Sequence, residues 1–210
     1  MHLLGDSVLG VLVLCLLGSL VVVKRLATGS VLDERPDARL LVQAVNVFNL
    51  TFLLVVNPAA AVLLLAGRLR AWDFTRVEIP WPWLRTGVEA VGVASYVLGC
   101  GLMMWALLTL RSRYQLGGMA PRPRDGLVTD GAYALMRHPM YAAALAMALG
   151  LALALQSLAG LGVFGVYVLM LRRLMPFEEA GLRNVYGEAY DAYTRTVPRL
   201  IPSLFRGEPA

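Results

Sequence analysis

The sequence predicts an all-α integral membrane protein of five transmembrane helices, the last two a helical hairpin, followed by a C-terminal helix on the cytoplasmic side. Three observations carry this. Hydrophobic residues make up 58% of the 210 and charged residues only 16%, with a mean hydropathy of +0.65, more apolar surface than a water-soluble domain can cover. Four apolar runs reach the ~20 residues that a helical crossing needs. The basic residues, 18 Arg and one Lys, fall unevenly among the segments between those runs. One membrane domain is expected, with residues 1–125 supplying helices one to three and residues 126–210 the hairpin and a polar C-terminal region.

Residues 3–23 form the first run, about 32 Å long as a helix, which matches a hydrocarbon core of ~30 Å. Its first basic pair, Lys24-Arg25, follows the run, a pattern that suits a retained helix better than a cleaved signal peptide. Residues 40–66 and 87–110 form the second and third runs, each long enough to cross with some tilt. Trp72, Trp81 and Trp83 flank the intervening loop as interfacial anchors. Glu89 opens the third run near the interface.

Residues 141–171 would make a single helix of about 46 Å, far longer than one crossing. Charge decides how this run is used. With a hairpin turning at Gln156-Ser157, residues 24–39, 111–140 and 172–210 share one side and carry 15 Lys/Arg, against 4 in residues 67–86. The positive-inside tendency then places the N-terminus outside and the C-terminus in the cytoplasm, and the Arg-dominated, Ala/Leu-rich composition suggests a bacterial cytoplasmic membrane. Arms of about 15 residues are short for this purpose, and Gly150, Gly160, Gly162 and Gly165 are expected to let them pack closely.

Composition and pattern also argue against several functions. The net charge of +5 is read as topology, with no nucleic-acid partner. Cys15 and Cys100 lie far apart in apolar runs, and His2 and His138 are the sole imidazoles, so neither a disulfide nor a metal site is expected. Gly160-Leu-Gly162-Val-Phe-Gly165 spells a dinucleotide fingerprint but follows no strand, and helix packing accounts for it. In the second run, Gln43, Asn46, Asn49 and Asn57 fall near one helical stripe. That stripe either hydrogen-bonds to neighbouring helices or lines a cavity in which Asn46 and Asn49 meet a substrate head group.

Two segments carry candidate chemistry. The first is Gly131-x-Tyr133-x-x-x-Arg137-His138-Pro139-x-Tyr141, after a Gly/Pro-rich loop, with Pro139 suited to the first position of the next helix. The second begins at Pro176 with Glu178 and Glu179, where proline followed by acids predicts a helix start. It continues as Leu182-x-x-x-Tyr186-Gly187-x-x-Tyr190-x-x-Tyr193 and ends in Val197-Pro198-Arg199-x-x-Pro202. Leu182, Tyr186, Tyr190 and Tyr193 share one face, as in any amphipathic interfacial helix.

Taken together, these pieces resemble the isoprenylcysteine carboxyl methyltransferase family and its phospholipid N-methyltransferase relatives, over about residues 126–204. The chain departs from the family pattern in the spacing of Arg172-Arg173 from Glu178, in Tyr186 for a frequent Phe, and in Ala143 for a frequent Gly. The resemblance implies a cytoplasm-facing S-adenosylmethionine pocket built from Tyr133, Arg137, His138, Pro139, Tyr141, Glu178, Glu179 and the terminal helix. A lipophilic substrate would reach it from the bilayer, through a gap between helices.

The chemistry suits such residues. A carboxylate nucleophile attacking an activated methyl needs no base but does need a cationic clamp, and Arg173 and Arg199 are the candidates. Glu178 and Glu179 offer acceptors to cofactor hydroxyls or amines, Tyr190 and Tyr193 offer aromatic faces, and His138 offers a donor. Carboxyl methylation of an isoprenylcysteine-type substrate is the leading reading. The alternatives are methyl transfer to a phospholipid or small-molecule nitrogen or sulfur, an NADPH-dependent reductase of the sterol-reductase type, and a non-enzymatic membrane scaffold.

Overall fold

A computed structural model of the chain describes residues 3–30, 39–115, 118–119 and 121–201. Among these residues the fold is helical throughout, apart from an isolated bridge between Arg76 and Ser157. The longer helices are α1 (Asp6–Thr28), α2 (Leu40–Leu65), α3 (Pro82–Leu110), α4 (Pro139–Leu155), α5 (Leu158–Tyr186) and α6 (Glu188–Thr196). Four of them, α1, α2, α3 and α5, are long and apolar enough to cross a membrane, and α4 is a shorter apolar helix of 17 residues.

The hairpin forms where the sequence predicts it. Gln156 adopts a left-handed conformation (φ 57°), and the Ser157 hydroxyl accepts from the Gly160 N–H to cap α5. Its arms are unequal, about 26 Å for α4 and 44 Å for α5, because α5 runs on through the polar sequence after Leu171. The predicted helix start at Pro176 is therefore corrected: Pro176 lies inside α5. Tyr167, Leu171, Leu174 and Met175 recur at helical spacing, and this buried stripe carries the helix past a residue that cannot donate to the Arg172 carbonyl.

α4 is apolar on every face, and its most extensive contact is with α3. A Cβ on Gly92 of α3 would sit 2.4 Å from the Ala154 nitrogen, and one on Gly150 of α4 would sit 2.5 Å from the Tyr96 nitrogen. Small residues thus let two backbones touch, as at close helix crossings in membranes. Gly150 serves this crossing rather than the hairpin, while Gly162 and Gly165 meet no neighbour, a second correction. Gly160 does approach the opposite arm, against Ala152.

In α2 the stretch Phe52–Val56 is π-helical. Pro58, one residue past Asn57, cannot donate a backbone hydrogen bond, and the wider turn hands the Phe52 carbonyl to Asn57. Asn57 donates to it from Nδ2 as well, at 2.6 Å, and accepts from the Tyr96 hydroxyl at 2.8 Å, so this buried amide belongs to helix packing.

The chain ends of the helices form two clusters. Lys24, Arg39, Arg113, His138 and Glu178 lie toward one end, the start of α1 and the hairpin turn toward the other. At the latter, Glu89 is 3% exposed, two turns into α3, which begins at Pro82. Its carboxylate accepts from the Leu3 N–H at 2.7 Å and lies 3.8 Å from Arg70 Nη1, while Arg70 Nε donates to Asp6 at 2.6 Å. Pro202, His2 and the basic residues at 35 and 206 lie outside the described residues.

Candidate active site

The two sequence motifs meet edge to edge. His138 is held off the helical conformation by Pro139, which opens α4 as predicted, so the backbone before it runs extended. The Arg137 N–H donates to the Pro198 carbonyl at 2.8 Å and the His138 N–H to the Arg199 carbonyl at 3.0 Å. Arg-His-Pro and Val-Pro-Arg are thereby fastened side by side. Gly187 makes this possible by joining α5 to α6 at φ 52°, a conformation that costs glycine little and other residues more.

Glu179 stands at the centre of the junction. Arg137 donates to its Oε1 from Nε at 3.1 Å and from Nη2 at 2.9 Å. Arg199 reaches Oε2 from Nη2 at 2.6 Å and Oε1 from Nε at 3.0 Å. His138 Nε2 lies 3.2 Å from Oε1. Arg137 Nη1 is spent on the Val197 carbonyl at 2.6 Å and the Thr194 carbonyl at 3.3 Å. A carboxylate held by two guanidiniums is satisfied by the protein itself. The hydrogen bonds that Arg199 donates to Glu179 hold it protonated even more firmly than an ordinary arginine.

Glu178, one residue earlier and about 100° away around the helix, has a different setting. It accepts from the Tyr141 hydroxyl at 2.8 Å and lines an internal cavity of about 330 Å³. Tyr133, Arg137, His138, Tyr141, Tyr190 and Tyr193 line the same cavity. His138 and Tyr141 stack at 5.4 Å, and the Tyr193 hydroxyl donates to the Tyr133 carbonyl at 2.6 Å. Burial pushes the Tyr190 phenol up to about 12 and raises Tyr133 and Tyr193 further, so all three stay neutral and present ring faces and donors, not bases.

From this polar end the cavity runs on between α1, α2 and α3, past Leu20, Leu50, Leu53, Met103 and Leu107. Asn46 and Asn49 line it too, and the Tyr167 hydroxyl donates to Asn49 Oδ1. Gln43 is exposed instead.

The structure gathers ten of the predicted site residues, Tyr133, Arg137, His138, Pro139, Tyr141, Glu178, Glu179, Tyr190, Tyr193 and Arg199, at one end of the bundle, with Asn46 and Asn49 deeper in the cavity. It does not bring Arg173 there. Six residues before Glu179 on one helix, Arg173 points about 120° away from it, and it is exposed on an outer groove. Arg199, the other predicted clamp, is engaged by Glu179. The cations that line the cavity besides Arg137 are Lys24, Arg113 and Arg122, which the sequence reading passed over as topology signals. Tyr167 was missed as well, although it lies eleven residues before Glu178, three helical turns back on the same face.

Residues 88–189, from the second turn of α3 to the start of α6, match the phospholipid methyltransferase family. The cobalt-zinc-cadmium resistance protein CzcN of Cupriavidus metallidurans is 32% identical over 123 residues, 57% of this chain and 56% of that protein. Protein-S-isoprenylcysteine O-methyltransferase B of Arabidopsis thaliana is 31% identical over 117 residues, 55% of this chain and 59% of the plant protein. The protein-S-isoprenylcysteine O-methyltransferase of Schizosaccharomyces pombe is 35% identical over 79 residues, 37% of this chain and 34% of its own length. The chain thus spans little more than half the length of the first two relatives and a third of the last. On these matches, the chain is a relative of the phospholipid methyltransferases and the isoprenylcysteine carboxyl methyltransferases.

Proposed function

We propose that the protein is an S-adenosylmethionine-dependent methyltransferase acting on a lipophilic acceptor, with carboxyl O-methylation of an isoprenylcysteine-type thioether acid as its leading reaction. One observation carries the reading: a single cavity has a polar, aromatic end at Glu178, Tyr190 and Tyr193 and an apolar end at Leu20, Leu50 and Met103. A water-soluble donor and a membrane-soluble acceptor can meet in such a space.

The residues present fit the cofactor. The Tyr190 hydroxyl is buried and has no hydrogen-bond partner among the described residues, although Tyr190 lines the cavity, which is the condition of a donor meant for a ligand. Glu178 offers a carboxylate to the ligand's cationic groups, and the rings of Tyr190 and Tyr193, 6.1 Å apart, offer faces to adenine or sulfonium. When bound, the cofactor supplies a methyl group already activated on sulfur, so a carboxylate acceptor needs alignment and exclusion of water rather than a base. Lys24, Arg113 and Arg122 orient the acceptor's anionic head, and Asn46 and Asn49 hydrogen-bond to its polar atoms. The latch at Glu179 closes the cavity with the α6 segment.

In this reading α4 also crosses the membrane, giving five crossings. The site end, which collects most of the basic residues, then faces the cytoplasm, where the donor is made. The N-terminus lies outside.

The test is transfer of labelled methyl from S-adenosylmethionine into a membrane-lipid extract and into N-acetyl-S-farnesylcysteine, with identification of the product. A labelled methyl ester supports carboxyl methylation, and a labelled amine or thioether moves the acceptor to nitrogen or sulfur. Stabilisation against heat by NADPH and not by S-adenosylhomocysteine would overturn the methyltransferase reading altogether.

A further inference from the structure

We propose that the outer groove between the start of α2 and the middle of α5 is a binding site for the phosphate headgroup of an anionic phospholipid. The groove, about 610 Å³ in volume, is floored by Leu41, Leu169 and Met170 and edged by Arg172 and Arg173. It is separate from the cavity described above and shares none of its lining residues.

The chemistry of the lining changes along the helix in the order that a lipid's chemistry changes with depth. α5 is apolar from Leu158 to Leu171 and turns cationic at Arg172. Leu169 and Arg173 are four residues apart and stand one above the other, so acyl chain would lie on leucine and methionine while phosphate meets guanidinium. Both arginines are exposed, and neither is paired with an acid among the described residues. Phe177 continues the same face one turn on, and the Arg39 guanidinium lies over its ring at 4.3 Å, which fixes a third cation beside the groove. Guanidiniums bind phosphate oxygens in pairs, so adjacent arginines at this depth select a phosphodiester with no compensating choline.

The groove also has a structural consequence for the cavity. α2 and α5 form the wall between the two, giving Asn46 and Asn49 to the cavity from one helix and Tyr167 and Glu178 from the other. Their direct packing is slight beside that of α3 on α4. A lipid seated across them braces this wall.

The experiment uses the detergent-purified full chain and reads the melting temperature with added dioctanoyl phosphatidylglycerol, dioctanoyl phosphatidylcholine or glycerol 3-phosphate. The site predicts a rise of several degrees with the phosphatidylglycerol, none beyond the detergent effect with the phosphatidylcholine, and none with glycerol 3-phosphate, which lacks chains for the apolar floor. Arg172→Gln/Arg173→Gln abolishes the difference between the two lipids, and Arg111→Gln/Arg124→Gln, which removes the same charge elsewhere, leaves it intact. Should the double variant fail to fold, Arg173→Gln alone shows the same loss at smaller amplitude. Equal shifts with both lipids, persistence of the preference in the Arg172/Arg173 variants, or its equal loss in the Arg111/Arg124 control would overturn the site. A rise with glycerol 3-phosphate matching that with the lipid would make it a site for free phosphate and not for a lipid.

Discussion

Arg199 grips both oxygens of Glu179, with Nη2 2.6 Å from Oε2 and Nε 3.0 Å from Oε1, although the two residues belong to segments that share no helix. With Arg137 on the other side of the same carboxylate, the pair fixes the chain after α6 against the segment that opens α4. A charge neutralised in this way is a fastening, whereas its neighbour Glu178 lines the cavity.

Glu179→Leu is therefore expected to act on stability. It leaves Arg137, whose side chain is 11% exposed, without its partner, at a cost of about 3 kcal/mol, with Arg199 adding little because its side chain is 48% exposed. Thermal unfolding of the unliganded protein should show a lowered midpoint, and limited proteolysis should cleave the segment after Thr196 faster than in the wild type.

Glu178→Gln is expected to do the opposite. The unliganded melting temperature stays within a degree or so of wild type, while S-adenosylhomocysteine affinity drops by about tenfold or more, the worth of one hydrogen bond between charged groups. Isothermal titration with both variants separates the two carboxylates. Normal binding by Glu178→Gln would remove it from the cofactor site.

Tyr190→Phe removes a hydroxyl that the unliganded protein does not use. Stability is unchanged or slightly raised, and S-adenosylhomocysteine binds about fivefold more weakly. The same phenol has a consequence at high pH. Burial raises its folded pKa to about 12, above the unfolded value of 10.0, so it adds no pH dependence below pH 10, and stability falls between pH 10 and about 12 as the unfolded chain ionises first. Tyrosinate absorbance during alkaline titration should therefore show a late-ionising phenol in the wild type that is missing in Tyr190→Phe.

Gly92→Val is expected to disrupt the bundle, because even a Cβ at this position meets backbone of α4 at 2.4 Å. Gly162→Val meets nothing within 4 Å and should fold normally. Comparing yields of monodisperse protein from membranes checks this, and equal yields would show that the α3–α4 crossing can spread apart.

Much of this architecture was legible in the sequence because membrane helices are specified by long apolar runs. The polar pair Gln156-Ser157 marked the hairpin turn, and Arg137, His138 and Glu179 marked a junction that the structure closes. What escaped depends on helical phase across segment boundaries. Arg173 looked like a clamp beside Glu178, but only the continuity of α5 through Pro176 sets the angle that turns it outward. Proline followed by acids reads locally as a start, and the buried stripe from Tyr167 to Met175 overrides it. An apolar run that begins at residue 87 does not show that Pro82 starts the helix earlier, nor that Glu89 meets Arg70 from another segment. Gly150 was paired with the wrong helix because a small residue announces a close approach without naming the partner.

The fastening of Arg137 to Val197 joins positions 60 residues apart, with the whole hairpin between them. During synthesis this junction therefore cannot close until the chain has been made through Arg199. A chain truncated before Pro198 would keep its apolar helices yet lack the Arg199 grip on Glu179 and the carbonyls that accept from the Arg137 and His138 N–H groups, so the junction is completed only once that segment is made.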